Sequence, residues 1–295
     1  MGVDYERLRG EHLVDVEWLK RHFAEPGVVV VDMRGEVKTS TAADGSQSAV
    51  YAGCRASYEV GHIPDAIYLD WTRDIVNLDD PVPAQAATGE QLGERLGRVG
   101  IGNDSLVIAY DDHPASQFAT RLWWLLRYAG HDRVRVLDGG WSAWLAADGP
   151  VTPEPAPMIP AVFTPEMRPE WRVTAEEVAA QLGSERCMLI DARDAAQYSG
   201  RVARGVRGGR VPGALHLPRE ALLDDSRRFL DTDALLGAVE SLGLDPSRRV
   251  IAYCNGGVAA TVVLFVLSLL GYSNLSNYDG SWNEWSGRLD LPVEK

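Results

Sequence analysis

The chain runs twice through one series of local patterns, and this duplication restricts its architecture more than any single motif. Compact apolar stretches ending in Asp-x-Arg lie at Val28–Arg34 and Met188–Arg193. Each leads into a proline-bearing segment, GHIPDAIYLD at 61–70 and GRVPGALHLP at 209–218. The triplet Ile-Ala-Tyr then recurs in SLVIAYDD and RRVIAYCN, and each half closes on an Asp-Gly turn before a Trp. Runs of β-branched residues without polar alternation read as strands covered on both faces. Helical stretches separate them, SQFATRLWWLLRYAG in one half and VAATVVLFVLSLLGY in the other. The expected class is α/β, with two domains, each a mostly parallel sheet flanked by helices on both faces.

A chain of 295 residues suits two domains of ordinary size. The expected boundaries are 1–150 and 171–295. Between them, 151–170 is a linker whose frequent prolines prevent regular structure. Each half should open on a short helix, HLVDVEWLKRHF and WRVTAEEVAAQL, the second with a capping box from Thr174 to Glu177. The first half carries an extra Gly/Ser/Thr/Ala-rich stretch, Glu36–Gly53, which reads as a mobile surface loop.

The net charge of −13 opposes a general nucleic-acid or membrane-surface binder, yet a local arginine cluster still permits a small anionic ligand. The longest apolar run, Val258–Leu270, is too short for a bilayer of roughly 30 Å and reads as a buried helix. The opening MGVDYERLRGEHLVD lacks the apolar core of a secretory leader. Three cysteines without metal-ligand spacing suggest reduced thiols, hence a cytoplasmic protein. No metal or organic cofactor is expected.

Cys254 stands apart. It ends the RRVIAY strand and precedes a helix, with Asn255, Gly256 and Gly257 between. Ligands of parallel α/β sheets sit beyond the carboxyl ends of the strands. Main-chain N–H groups of a Gly-rich turn, together with a helix N-terminus, favour thiolate over thiol, and thiolate is the nucleophile. Cys54 and Cys187 lack this setting and read as small buried hydrophobes.

Taken together, these segments resemble the tandem-domain thiosulfate and 3-mercaptopyruvate sulfurtransferases, that is, two rhodanese-like domains. The resemblance spans essentially the whole chain. It rests on the Asp-x-Arg strand ends, His-Ile-Pro-Asp-Ala and Arg-Val-Pro-Gly-Ala, the Asp-Gly-Gly-Trp and Asp-Gly-Ser-Trp turns, and Cys254-Asn-Gly-Gly-Val-Ala. It implies that Cys254 takes a sulfane sulfur from a small anionic donor as a persulfide. A thiol or cyanide then removes it, with a thioredoxin-like protein among the candidate acceptors. Asn255, Gly256, Gly257, Val258 and Ala259 would form the binding loop. The first domain would be catalytically silent, because Asp111 matches Cys254 and a carboxylate forms no persulfide.

The loop after Cys254 departs from that family's patterns, being neither basic nor Gly-Ser-Gly. A cation for the donor must come from elsewhere, and Arg193, Arg204 and Arg201 are the candidates, with Gln197 where many relatives carry Arg. A bidentate guanidinium suits carboxylate or sulfonate oxygens; the competing reading is a solvated Gly/Arg loop. Asp191 with Arg193 also reads as a structural pair, since Asp32 and Arg34 repeat it. A cysteine phosphatase would need Cys-x5-Arg, and Ala260 stands at that position. The remaining alternative is a non-catalytic persulfide carrier or protein-binding module.

Overall fold

A computed structural model describes residues 3–295. In the first domain, α1 (Tyr5–His12), β1 (Leu13–Val14) and α2 (Val16–His22) precede β2 (Val28–Asp32). A hairpin of β3 (Gly35–Thr41) and β4 (Gln47–Gly53) leads to α3 (Arg55–Val60), β5 (Ile67–Tyr68) and α4 (Gly89–Arg98). Then come β6 (Leu106–Tyr110), α5 (Gln117–Tyr128), β7 (Val134–Leu137) and α6 (Gly140–Ala146).

The second domain begins with β8 (Arg172–Val173), α7 (Ala175–Ala180), β9 (Cys187–Asp191) and α8 (Ala195–Tyr198). It continues through β10 (Leu215–His216), α9 (Thr232–Glu240) and β11 (Arg249–Tyr253). Last are α10 (Ala260–Leu269), β12 (Leu275–Tyr278) and α11 (Ser281–Trp285). The five-stranded sheets have one topology, β1-β7-β6-β2-β5 and β8-β12-β11-β9-β10, and every strand pair in them is parallel.

The structure corrects the reading in three places. In each domain a two-residue strand, β1 or β8, precedes the helix read from sequence, set by pairing to β7 and β12, and in the first domain α1 lies ahead of it; so short a strand leaves no periodicity to read. Helix α2 starts where Asp15 accepts the Trp18 N–H at 2.6 Å, and α7 carries the Thr174–Glu177 capping box. Cys187 is the first residue of β9, paired to Arg249, rather than preceding the strand. Glu36–Gly53 is no loose loop: seven paired residues per strand make it a hairpin that leans onto the second domain, where the Gln47 N–H donates to the Ala203 carbonyl at 2.8 Å.

From 147 to 168 the chain is extended and held to the first domain through Ala161 N–Gly97 O, Glu166 N–Ala129 O and Arg168 N–Tyr128 O. The domains share a core. Helix α10 is buried along its whole length, which is why its sequence is apolar on every face. It packs on α5, with the Trp123 and Phe265 rings 5.1 Å apart and the Thr120 and Thr261 hydroxyls 3.0 Å apart. Trimming the fully buried Phe265 to Ala would cost about 3–5 kcal/mol. No helix among the described residues is long and apolar enough to cross a membrane.

Candidate active site

Cys254 follows the last residue of β11, at the carboxyl end of the central strand, and opens the turn into α10. Its side chain is 3% exposed and lines an interdomain cavity of about 320 Å³. The turn is clamped from behind. Ser281 Oγ accepts the N–H groups of Cys254 and Gly257, each at 3.0 Å, and donates to the Tyr278 carbonyl at 2.7 Å. The Trp282 and Asn283 N–H groups bind the carbonyls of Cys254 and Asn255. Gly257 has φ +71°, and a Cβ there would stand 2.6 Å from the Asp279 carbonyl, so glycine is required.

With those bonds made, the N–H groups of Asn255, Gly256, Val258, Ala259 and Ala260 have no acceptor among the described residues. Asn255, Gly256, Val258 and Ala259 line the cavity with Cys254; Gly257 does not, because its N–H is turned back onto Ser281. Such unpaired amides at the start of a helix form an anion cradle.

The first domain holds the same cradle, filled. Asp111 follows β6 as Cys254 follows β11. Its Oδ2 accepts the Phe118 and Ala119 N–H groups at 2.7 and 2.8 Å, and its Oδ1 accepts that of His113 at 3.0 Å. Burial pushes the Asp111 carboxyl up to about 7 against the opposing pull of these donors.

The three arginines named from sequence part company. The Arg193 guanidinium is buried against Asp191, at 2.6 Å from Nη2 to Oδ2, and donates to the Gly209 carbonyl at 2.7 Å. Arg34 makes the same pair with Asp32 and Gly61 in the first domain, so this unit serves the fold of both copies. Arg193 still lines the cavity, over the Trp282 ring at 4.3 Å. Arg204 also lines it, buried and without a carboxylate partner among the described residues. Arg201 is a correction: it is exposed, bonds Ser199, and lies outside the cavity, because the chain turns outward between Gly200 and Ala203.

Sequence reasoning missed several wall residues. Gln197 Oε1 accepts from Asn255 Nδ2, and its Nε2 donates to Gln47 Oε1, both at 2.9 Å. That chain of amides ties the cysteine turn to the hairpin. Tyr51 and Arg219 line the cavity as well. His113 lines it from the first domain; burial, then the Arg219 and Arg227 charges, lower it to about 3, so it is neutral near pH 7. Nothing local in the hairpin's sequence announces this contact. Burial raises the Cys54 and Cys187 thiols, in keeping with packing roles.

The rhodanese-like domain model matches residues 15–147 and again 174–288. A sulfur carrier protein of Thermus thermophilus, TtuD, is 28% identical over 97% of each chain. The 3-mercaptopyruvate sulfurtransferase of Escherichia coli is 31% identical over 95% of this chain and 97% of its own. A thiosulfate sulfurtransferase of Corynebacterium glutamicum is 31% identical over 96% and 90%. The crystal structure of SseA from Escherichia coli, described as a 3-mercaptopyruvate sulfotransferase, superposes with a TM-score of 0.79 at 29% identity, covering 92% of this chain and 98% of that one. With two rhodanese-like domains of one topology and a cysteine at the mouth of the second sheet, the chain belongs to the rhodanese family and is a tandem-domain sulfurtransferase.

Proposed function

We propose that Cys254 carries a sulfane sulfur from an anionic donor, thiosulfate or 3-mercaptopyruvate, to a thiophilic acceptor. The observation that carries this reading is the cavity shared by the Cys254 sulfur and a turn whose N–H groups lack protein acceptors. The Cys254 thiolate bonds to the outer sulfur of the donor. The S–S or C–S bond of the donor breaks, and its electron pair leaves on sulfite or on the enolate of pyruvate. The unpaired amides stabilise the negative sulfur of the persulfide. A thiolate or cyanide then attacks the outer sulfur and regenerates Cys254. Arg204 is the cation for the donor's anionic end, and Arg193 supports the wall through Asp191. A reduced, cytoplasmic setting fits three unpaired cysteines.

The sulfur carrier named among the relatives supports a second reading, in which the persulfide is handed to a partner protein, a thioredoxin-like one included. Intact-mass measurement after exposure to each donor separates the two. Addition of one sulfur, removable by cyanide and abolished in Cys254→Ser, is the expected result. No gain from either small donor would leave only the carrier reading, and full transfer by Cys254→Ser would overturn both.

A further inference from the structure

The hairpin β3–β4 brings a phenol from the silent domain into the wall of the sulfur site. Tyr51 Oη accepts two hydrogen bonds, from Arg204 Nη2 at 3.3 Å and from Asn283 Nδ2 at 3.1 Å. A phenolic oxygen has two acceptor sites and one proton. Both acceptor sites are taken, and among the described residues the Tyr51 proton has no acceptor. The ring is fixed at 5.3 Å against Trp71, and the strand behind it is held to the second domain by the Gln47 N–H on the Ala203 carbonyl. The oxygen also faces the cysteine turn, since a Cβ built on Gly256 would stand 3.2 Å from it. The hydroxyl is thus oriented by two donors, beside the loop of Cys254, in the cavity that Cys254 lines.

We propose that Tyr51 is a specificity-determining residue that donates its O–H to an oxygen of the sulfur donor's leaving anion, next to Arg204. The proposal rests on the persulfide reading of Cys254. As the thiolate takes the outer sulfur, negative charge grows on the oxygens of sulfite or of the pyruvate enolate. A hydrogen-bond donor held in place lowers the energy of that charge more than that of the ground state. The proton stays on Tyr51 throughout. A donor whose leaving group carries no oxygen gains nothing from the hydroxyl.

Tyr51→Phe keeps the ring against Trp71 and removes only the O–H. With thiosulfate and with 3-mercaptopyruvate, kcat/KM should fall roughly 10- to 100-fold, the range for a hydrogen bond to a charged group. Loading of Cys254 from inorganic polysulfide, followed by intact mass, should change less than about twofold. An equal loss with all three donors, or no loss with any, overturns the proposal while leaving the Cys254 reading in place. If the unaltered protein gains no sulfur from any of the three, that reading falls and the proposal with it.

Discussion

Arg121 Nη1 of the first domain lies 2.6 Å from Asp279 Oδ1 of the second, with both side chains about 1% exposed. The same nitrogen donates to the Gly257 carbonyl at 3.0 Å, inside the cysteine turn. Asp279 Oδ2 accepts the Ala86 N–H at 2.7 Å and lies 3.3 Å from Arg172 Nε. The first domain therefore holds the Cys254 turn of the second domain by a buried charge.

Arg121→Met should lower stability by about 1–3 kcal/mol, because it removes the buried partner of a buried carboxylate and leaves Asp279 only the half-buried Arg172 and the Ala86 N–H. Sulfur transfer should fall further than the folded fraction explains, since the Gly257 carbonyl loses one of its two donors and keeps only Asn277 Nδ2. Urea unfolding and kcat on the same preparation check this, and a variant with normal kcat per folded molecule would refute the anchoring role.

Asp111→Cys should not awaken the first domain. Its side chain is 1% exposed and lies outside the interdomain cavity, under a turn that already closes three N–H groups on the carboxylate. In a Cys254→Ser background the expected outcome is no sulfur gain at position 111 by peptide mass mapping after thiosulfate or 3-mercaptopyruvate. Silence, on this view, comes from geometry as well as from the missing thiol.

Duplication, strand ends and Cys254 were legible because each leaves a contiguous signature, an apolar run or a strand–Cys–Gly–Gly–helix order. The partner walls were not. Tyr51 meets Arg204 across 153 positions of sequence, and Arg121 meets Gly257 across 136. Such contacts follow from docking two domains, which no local period encodes. Alternation in 36–53 is masked by small residues, so a register-defined hairpin reads as a loop. The choice among Arg193, Arg201 and Arg204 turned on which way a Gly-rich backbone bends, and glycine leaves that open.

Ser281 occupies a left-handed conformation, φ +50°, where the first domain has Gly140 at φ +54°. A non-glycine residue there is costly, and the compensating gain is Oγ, which binds the N–H groups of Cys254 and Gly257. Ser281→Gly relieves the backbone and removes those two bonds together with the one that Oγ donates to the Tyr278 carbonyl. Stability should change little as the two effects oppose, while kcat should drop about tenfold as the turn loosens. A crystal structure of the variant with the turn unmoved and kcat intact would show that Ser281 is mere packing.

His12, like His113, is a buried neutral histidine that weakens the fold when acid protonates it. Burial, then the Arg127 charge, lower it to about 4, and its Nδ1 accepts the Trp123 Nε1–H at 3.3 Å, a bond that imidazolium cannot accept. The unfolded chain therefore binds the proton first, near pH 6.5, while the folded chain resists until about 4. The His12 contribution is full above 6.5 and falls through that window as pH drops, by about 1.4 kcal/mol per pH unit for one proton. Asp111, raised to about 7, works the opposite way, gaining its proton first in the folded chain as pH falls from 7 toward its unfolded value near 3.8. The reading must then come from a difference. His12→Gln keeps an acceptor for Trp123 and has nothing to titrate, so its urea-unfolding free energy should lose the His12 share of the slope between pH 6 and 4.5. Parallel pH profiles for the two proteins would mean that His12 is protonated as readily in the folded chain as in the unfolded one.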